Sequence, residues 1–143
     1  MPQNFKNHAR YEPFYHIVLV VLVITVFISA CINICVRLSH GDYSNSSFIL
    51  FGMSVILLLL TWFVRSFPLK AQDRAIRAEE NFRHYVLTGK LLDSRLTMSQ
   101  IIALRFASDE EFAALAQEAA EKNIDSKSIK KSIANWREDN YRV

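Results

Sequence analysis

Two long apolar runs dominate the first half of the chain. Residues 14–36 contain no Asp, Glu, Lys or Arg, and neither do residues 48–64. As a helix the first run is roughly 34 Å long, and the second reaches about 30 Å if it continues to Phe67 while Arg65 extends its charge to the interface. A bilayer core is about 30 Å thick, and lipid favours helices because they satisfy their own backbone hydrogen bonds. The pattern therefore predicts transmembrane helices at 14–36 and 48–67.

A polar link of residues 37–47 separates the two runs. Gly41 and Asp42 suit a turn, and the serine- and asparagine-rich stretch after them is too polar to stay in lipid. The two spans are therefore expected to form a helical hairpin with both ends on the same side of the membrane.

Residues 68–89 change to an amphipathic helical pattern. Its larger apolar positions are Leu69, Ile76, Phe82 and Val86, with charged residues between them. Pro68 predicts a kink or break at the start, because proline lacks an amide proton. The glycine at position 89 predicts the end. Such a helix can lie on the membrane surface or extend into the cytosol.

The remaining residues, 90–143, predict a small bundle of short helices. Capping-box patterns begin at Thr97 and Ser108, and Asp125 or Ser126 caps the last helix. The candidate packing or partner face of this bundle consists of Phe106, Phe112, Leu115, Ile129, Ile133 and Trp136. The predicted fold class is thus an all-α membrane protein, in which a two-helix transmembrane hairpin precedes a small cytoplasmic bundle. So small a core is marginal alone, which favours docking on a partner.

The positive charges set the predicted orientation. The 143 residues carry a net charge of +3, and seven Lys or Arg residues flank the hairpin on its terminal side, against Arg37 alone in the link. Positive residues accumulate on the cytoplasmic side, so residues 1–13 form a cytoplasmic interfacial segment, residues 37–47 face the periplasm or exterior, and both termini are cytoplasmic. The expected location is a bacterial inner membrane. The candidate interfacial anchors are Lys6, Arg10, Tyr11, Tyr15, Trp62 and Arg65.

Polar side chains inside the spans form a candidate packing or partner face. On the first span Thr25, Ser29 and Asn33 are four residues apart and share one side of the helix. On the second span the corresponding residues are Gly52, Ser54 and Thr61. Such residues pack helices closely, and they can also form a docking face for another membrane protein or a polar path. The spans contain no Asp, Glu or Lys, which disfavours an ion or proton relay.

Two cysteines allow a different interpretation of the first run. The sequence Ile-Ser-Ala-Cys ending at Cys31 resembles a lipoprotein signal, but the apolar run continues past it and a second span follows. Cys31 and Cys35 lie on one helix face, where a disulfide has poor geometry and a metal site lacks neighbouring histidines. Buried apolar thiols are the favoured interpretation.

The sequence offers no constellation typical of catalysis. The four histidines are scattered, and neither a nucleophile elbow, a phosphate-binding loop nor a metal-spaced cluster is present. We therefore predict no catalytic residues, no cofactor and no metal. The segment from Ala119 to Ile129 has the spacing of a helix-turn-helix with Lys127, Lys130 and Lys131 outward. Residues 69–143 sum to only +1, however, which disfavours nucleic acid as a partner.

Three strings carry a family resemblance. Residues 3–11 (QNFKNHARY), 100–111 (QIIALRFASDEE) and 129–137 (IKKSIANWR) resemble a bacterial two-span family known only as a domain of unknown function, as does the ending Arg142-Val143. The resemblance covers nearly the whole chain. It implies an integral bacterial membrane protein with a short cytoplasmic helical tail, and it implies no activity.

The leading hypothesis is a non-enzymatic protein that contacts the lipid bilayer and a membrane protein partner or further copies of itself. It would act as an accessory, assembly or interaction subunit of a membrane complex. The alternatives are a membrane-tethered regulator that binds DNA through the helix-turn-helix-like segment, and a component of a small oligomeric channel or transporter.

Overall fold

The computed structural model describes residues 4, 5 and 12–139, which are helical apart from turns, short connections and one isolated antiparallel bridge. The chain divides into two compact units, Tyr11–Phe67 and Pro68–Val143 together with Met1–Arg10. The expected all-α architecture is confirmed: two long apolar helices pack together and short helices follow.

The first unit is the helical hairpin. A π-helical segment, Phe14–Leu19, leads directly into α1, Val20–Ser39, and α2 begins at Asn45 and ends at Thr88. The Phe14–Ser39 and Asn45–Thr88 helices are each long and apolar enough to cross a membrane, with peak mean hydropathies of 3.0 and 2.4. The phenyl rings of Phe27 and Phe51 lie 6.0 Å apart between the helices.

Buried positions in the hairpin recur every seven residues. Val23 and Ala30 are buried on α1, and Ser47 and Ser54 are buried on α2. A seven-residue period keeps one seam of each helix facing the other, as in a left-handed coiled coil. The rest of the apolar surface of both helices is largely exposed.

The turn between α1 and α2 is shorter than the polar link. Both helices continue past the apolar runs, which leaves residues 40–44 to reverse the chain. Gly41 has a φ of +73°, a conformation that side chains with a Cβ rarely adopt. The guanidinium of Arg37 forms an ion pair with the carboxylate of Asp42 across this turn.

The expected break at Pro68 does not occur. α2 is one helix of 44 residues that includes Pro68 in its interior. A proline there removes the amide that would bond to the carbonyl of Val64, at a cost of about 3 kcal/mol. The end predicted at Gly89 is confirmed, since the helix ends at Thr88 and Gly89 has a φ of +72°.

The second unit contains the end of α2 and three short helices, α3 (Met98–Leu104), α4 (Asp109–Lys122) and α5 (Ser126–Ser132). Their buried side chains form one core around Phe106 and Phe112, to which Ile76 of α2 contributes. The end of α2 is thus packed onto the bundle.

The helix caps explain where the short helices begin. The predicted capping box at Thr97 is complete, because its hydroxyl accepts from Gln100 N and the Gln100 side chain accepts from Thr97 N. Asp125 caps α5 by accepting from the amides of Lys127 and Ser128. α4 ends at Lys122, and its C-cap residue Asn123 takes the left-handed conformation with a φ of 48°.

The C-terminal segment departs from the helical pattern. The spacing of Ile129, Ile133 and Trp136, four and then three residues apart, predicts one face of the last helix, but α5 ends at Ser132. Trp136 instead forms an antiparallel bridge with Ala107. The expected helix is therefore too long: backbone pairing with the segment before α4 replaces its last turn.

Candidate functional site

An ionic cluster around the buried side chain of Arg83 joins α2 to the bundle, with Asp109 at its exposed edge. The guanidinium of Arg83 donates to the carboxylates of Glu80, at 3.1 Å, and Asp109, at 2.7 Å, and to the carbonyl of Ala107, at 2.7 Å. Its central carbon lies 4.3 Å from the ring centroid of Phe112. The side chains of Arg83 and Glu80 are only 10% and 8% exposed. Planar arginine suits this task, since it donates in several directions and stacks on an aromatic face at once.

The cluster perturbs the carboxyl group of Glu80. Burial raises the pKa of Glu80 above its ordinary value of 4.5, while the nearby charges of Arg83 and Arg137 oppose the rise. Buried charge is costly unless it is paired, and the guanidinium of Arg83 supplies that pairing. The arrangement fixes α2 on the bundle.

A second polar contact holds the C-terminal segment. The carboxylate of Glu111 accepts hydrogen bonds from the amides of Ala134, at 3.1 Å, and Asn135, at 3.0 Å. The capping-box pattern predicted that Glu111 would bond back to Ser108, and the Ser108 side chain makes no capping bond. Ser108 is still the N-cap residue, but its amide donates to Asn135 O. The predicted capping box is therefore wrong, because Glu111 accepts from two amides of the C-terminal segment instead of from the amide of Ser108.

Some of the polar residues predicted within the spans lie between the two helices, and others lie on the outer surface of the hairpin. Ser47 donates to the side-chain oxygen of Asn33 across the hairpin, at 3.0 Å. Ser54 is buried and bonds to Phe51 O, whereas the carbonyl of Thr61 accepts from the Tyr15 hydroxyl at 2.6 Å.

Thr25 and Ser29 lie outside this interface. Both are exposed, and the Thr25 hydroxyl bonds to Val21 O of its own helix. Gly52 is half-buried, with open space where a Cβ would lie. The six predicted residues therefore do not form one face.

Three of the predicted interfacial anchors, Lys6, Arg10 and Tyr11, lie outside the described residues. Arg65 lies over the ring of Tyr15, with 5.9 Å between the guanidinium carbon and the ring centroid. Trp62 is exposed on the second helix.

The six predicted residues of the bundle face pack inward. Phe106, Phe112, Ile129 and Ile133 are buried in the core, and Leu115 and Trp136 are packed against it. Phe106 and Trp136 stack with their ring centroids 5.2 Å apart. These residues therefore hold the bundle together and leave little of their surface to a partner.

Sequence reasoning missed the exposed surface of α2. Ile76 is buried against the bundle, whereas Phe82, Tyr85 and Val86 are exposed. The sequence carried a signal for this division, since positions 76, 80 and 83 share one side of a helix and positions 75, 78 and 82 share another.

The described residues contain no cluster of three or more His, Cys, Asp or Glu side chains able to hold a metal ion. Cys31 is half-buried and Cys35 is exposed on α1, and both are free thiols. The expectation that both thiols act as buried apolar groups is therefore wrong for Cys35, which lies on the outer surface of the helix.

We expect the Arg83 to Met substitution to lower the free energy of unfolding by roughly 3 kcal/mol, because it leaves Glu80 buried without its partner. Adding Glu80→Leu should recover most of that loss. Arg95→Met is the matched control: its ion pair with Asp93 is exposed, and little change is expected. Urea titration of the detergent-solubilised chain, followed by the fluorescence of Trp136 in a Trp62→Phe background, measures the difference. Equal losses of unfolding free energy in Arg83→Met and Arg95→Met would contradict the conclusion that Arg83 fixes α2 on the bundle.

Glu80 also predicts a pH dependence. Because folding raises the pKa of Glu80, the protonated carboxyl group contributes to stability below pH 4.5. This contribution is lost as the pH rises through the raised pKa. Wild type should therefore lose stability relative to Glu80→Gln across that window, as measured by unfolding midpoints at a series of pH values. Glu121→Gln, which changes an exposed carboxylate, should keep the wild-type profile. Parallel profiles for wild type and Glu80→Gln would refute the assignment.

Comparison with known proteins identifies the family but no characterised relative. A family model described as "Family of unknown function (DUF6526)" matches residues 1–143. No curated protein and no solved structure matches the chain. The resemblance to a family of unknown function is thereby confirmed at the level of the family. The chain belongs to DUF6526, a family of unknown function.

Proposed function

We propose that the chain is a non-enzymatic integral membrane protein that acts as an accessory, assembly or interaction subunit of a membrane complex. The observation that carries this proposal is the outward apolar surface of the hairpin. In the most apolar 18-residue stretch of each long helix, only 11% of the residues are buried. A core helix of a soluble protein is mostly buried instead. Lipid is the solvent that makes such a surface favourable.

Contacts along the hairpin support two spans that stay together. Tyr15 bonds to Thr61 near one end, and Asn33 bonds to Ser47 near the other. Hydrogen bonds between helices are a common means of association in lipid, where polar groups have no water to bond. A cleaved signal segment has no need of such paired polar contacts with a second helix.

The proposed orientation has both termini in the cytoplasm of a bacterial cell. It rests on the seven Lys or Arg residues beside the terminal ends of the hairpin, against the single Arg37 near its turn. On this assignment the ionic cluster of Arg83 lies in the cytoplasmic bundle.

A non-enzymatic role is supported by how the bundle uses its polar groups. Arg83 donates to both Glu80 and Asp109, and Glu111 accepts from backbone amides of the C-terminal segment. These groups serve the fold. The subunit role follows from the exposed apolar surface that the bundle leaves on α2.

The DNA-binding alternative gains no specific support. α5 has only seven residues, and Ile129 at its centre is buried. Lys130, expected to face outward, is half-buried with its ammonium 5.7 Å from the ring centroid of Phe106. A recognition helix needs a longer exposed basic face to reach base edges and phosphates.

Cysteine labelling in spheroplasts tests the orientation. In a Cys31→Ser/Cys35→Ser background, Tyr43→Cys in the turn should react with a membrane-impermeant maleimide from outside. Leu91→Cys, at a similarly exposed position on the bundle, should react only after permeabilisation. The reverse pattern would contradict the orientation, and recovery of the chain in the soluble fraction would contradict the membrane proposal.

Purification tests the subunit role. After crosslinking in native membranes and extraction in mild detergent, the chain should run as a defined oligomer or with a stoichiometric membrane protein. Mass measurement of the purified species gives its composition. A monomer that crosslinking leaves unchanged would contradict the role.

A further inference from the structure

The part of α2 beyond Pro68 has two opposite faces. One face contributes Ile76 to the core of the bundle and holds Glu80 and Arg83 in the ionic cluster. The opposite face, which we call the outer face of α2, consists of Ala71, Ala75, Ala78, Phe82 and Tyr85, all exposed. Phe82 is 69% exposed and Tyr85 is 54% exposed. The two aromatic and three alanine side chains form one continuous exposed apolar stripe. Such a stripe indicates a surface that another molecule covers.

The spacing of the outer face is that of a coiled coil. Its five residues are successively four, three, four and three positions apart, which places them at alternating a and d positions of a heptad repeat. They extend over about 22 Å of helix, or two heptads. The three alanines permit close approach of a second helix, and Phe82 and Tyr85 supply large apolar area at the end of the row.

Charge complementarity indicates which molecule covers this face. In the same heptad register, Arg74 takes a g position and Glu79 takes the e position of the next heptad. Both residues are exposed, and neither forms an ion pair within the described part of the chain. In a parallel two-stranded coiled coil, g of one helix faces the following e of its partner, so Arg74 of each copy meets Glu79 of the other.

We propose that the outer face of α2 forms a parallel, in-register, two-stranded coiled coil with a second copy of this chain. An antiparallel pair brings g against g and e against e, which leaves Arg74 without Glu79. The proposal rests on the proposed membrane location, because two copies inserted in one orientation present their α2 helices in parallel. Sharing a membrane also raises their effective concentration, which compensates for a contact of only two heptads.

A membrane surface fits the outer face less well. A helix that lies on anionic lipid carries Lys and Arg on both sides of its apolar stripe. Here Arg74 borders one side and Glu79 borders the other. Alanine at three of the five positions also offers little apolar side chain for insertion among lipid chains.

Cysteine scanning in membranes tests the register. In a Cys31→Ser/Cys35→Ser background, Ala71→Cys, Ala75→Cys and Ala78→Cys should each form disulfide-linked homodimers on mild oxidation. The matched controls are Lys70→Cys and Arg77→Cys, which are exposed beside the row and should crosslink at least about fivefold less, since they point away from the helix seam. Equal crosslinking at all five positions would overturn the proposal. So would preferred crosslinks between positions 71 and 85 in double-cysteine chains, which indicate antiparallel pairing.

Charge reversal tests the pairing without disturbing the fold, since both residues are exposed. The readout is the disulfide-linked dimer formed through Ala78→Cys. Either Arg74→Glu or Glu79→Arg should lower its yield about fivefold, because position 74 of one copy and position 79 of the other then carry the same charge. The double variant Arg74→Glu/Glu79→Arg should restore the yield. Failure of the double variant to recover would overturn the Arg74–Glu79 contact.

Membrane retention, measured as resistance to alkaline extraction, separates this proposal from the proposed function. Retention without homodimer crosslinks refutes the coiled coil and leaves the membrane role standing. Loss of retention refutes the membrane role itself. Crosslinks from positions 75 and 78 to a different protein would also overturn the assignment of a second copy as the occupant.

Discussion

The structure depends on the need of one long helix to cover its apolar side chains, because its backbone hydrogen bonds are already satisfied internally. α2 meets that need differently along its 44 residues. Near its start, the side of α2 that carries Ser47 and Ser54 is buried in the hairpin seam, where the rings of Phe51 and Phe27 lie 6.0 Å apart. Beyond Pro68, Ile76 is buried in the bundle core. Two apolar surfaces remain exposed, the outward surface of the hairpin and the outer face of α2. The first is the surface that we propose contacts lipid, and the second is the one that we propose contacts another copy of the chain.

Polar bonds fix these contacts in register. Apolar burial is non-directional, so it brings helices together without deciding their rotation. Arg83 decides the rotation of α2 on the bundle, because its guanidinium reaches Asp109 and the carbonyl of Ala107 only in one orientation of the helix. That orientation turns Ile76 inward and leaves Phe82 outward. The exposed heptad is thus a consequence of the bonds that Arg83 makes to the bundle.

The sequence predicts the helices well and their contacts poorly. Apolar runs and caps are local, so the hairpin, the capping box at Thr97 and the end of α2 at Gly89 follow from neighbouring residues. The continuity through Pro68 does not follow from the sequence, because the local preference of proline is to end or kink a helix. The cluster of Arg83 joins residues 26 positions apart, and no spacing rule reveals such a contact.

Accessibility of spin labels along α2 tests the central claim most directly. Single nitroxides at exposed positions of the reconstituted chain would be probed with oxygen, which concentrates in lipid, and with a water-soluble nickel chelate. The account predicts that oxygen collisions dominate at Ile49, Ile56 and Leu60, and that nickel collisions dominate at Lys70 and Arg77. Nickel collisions that dominate at all five positions would contradict it.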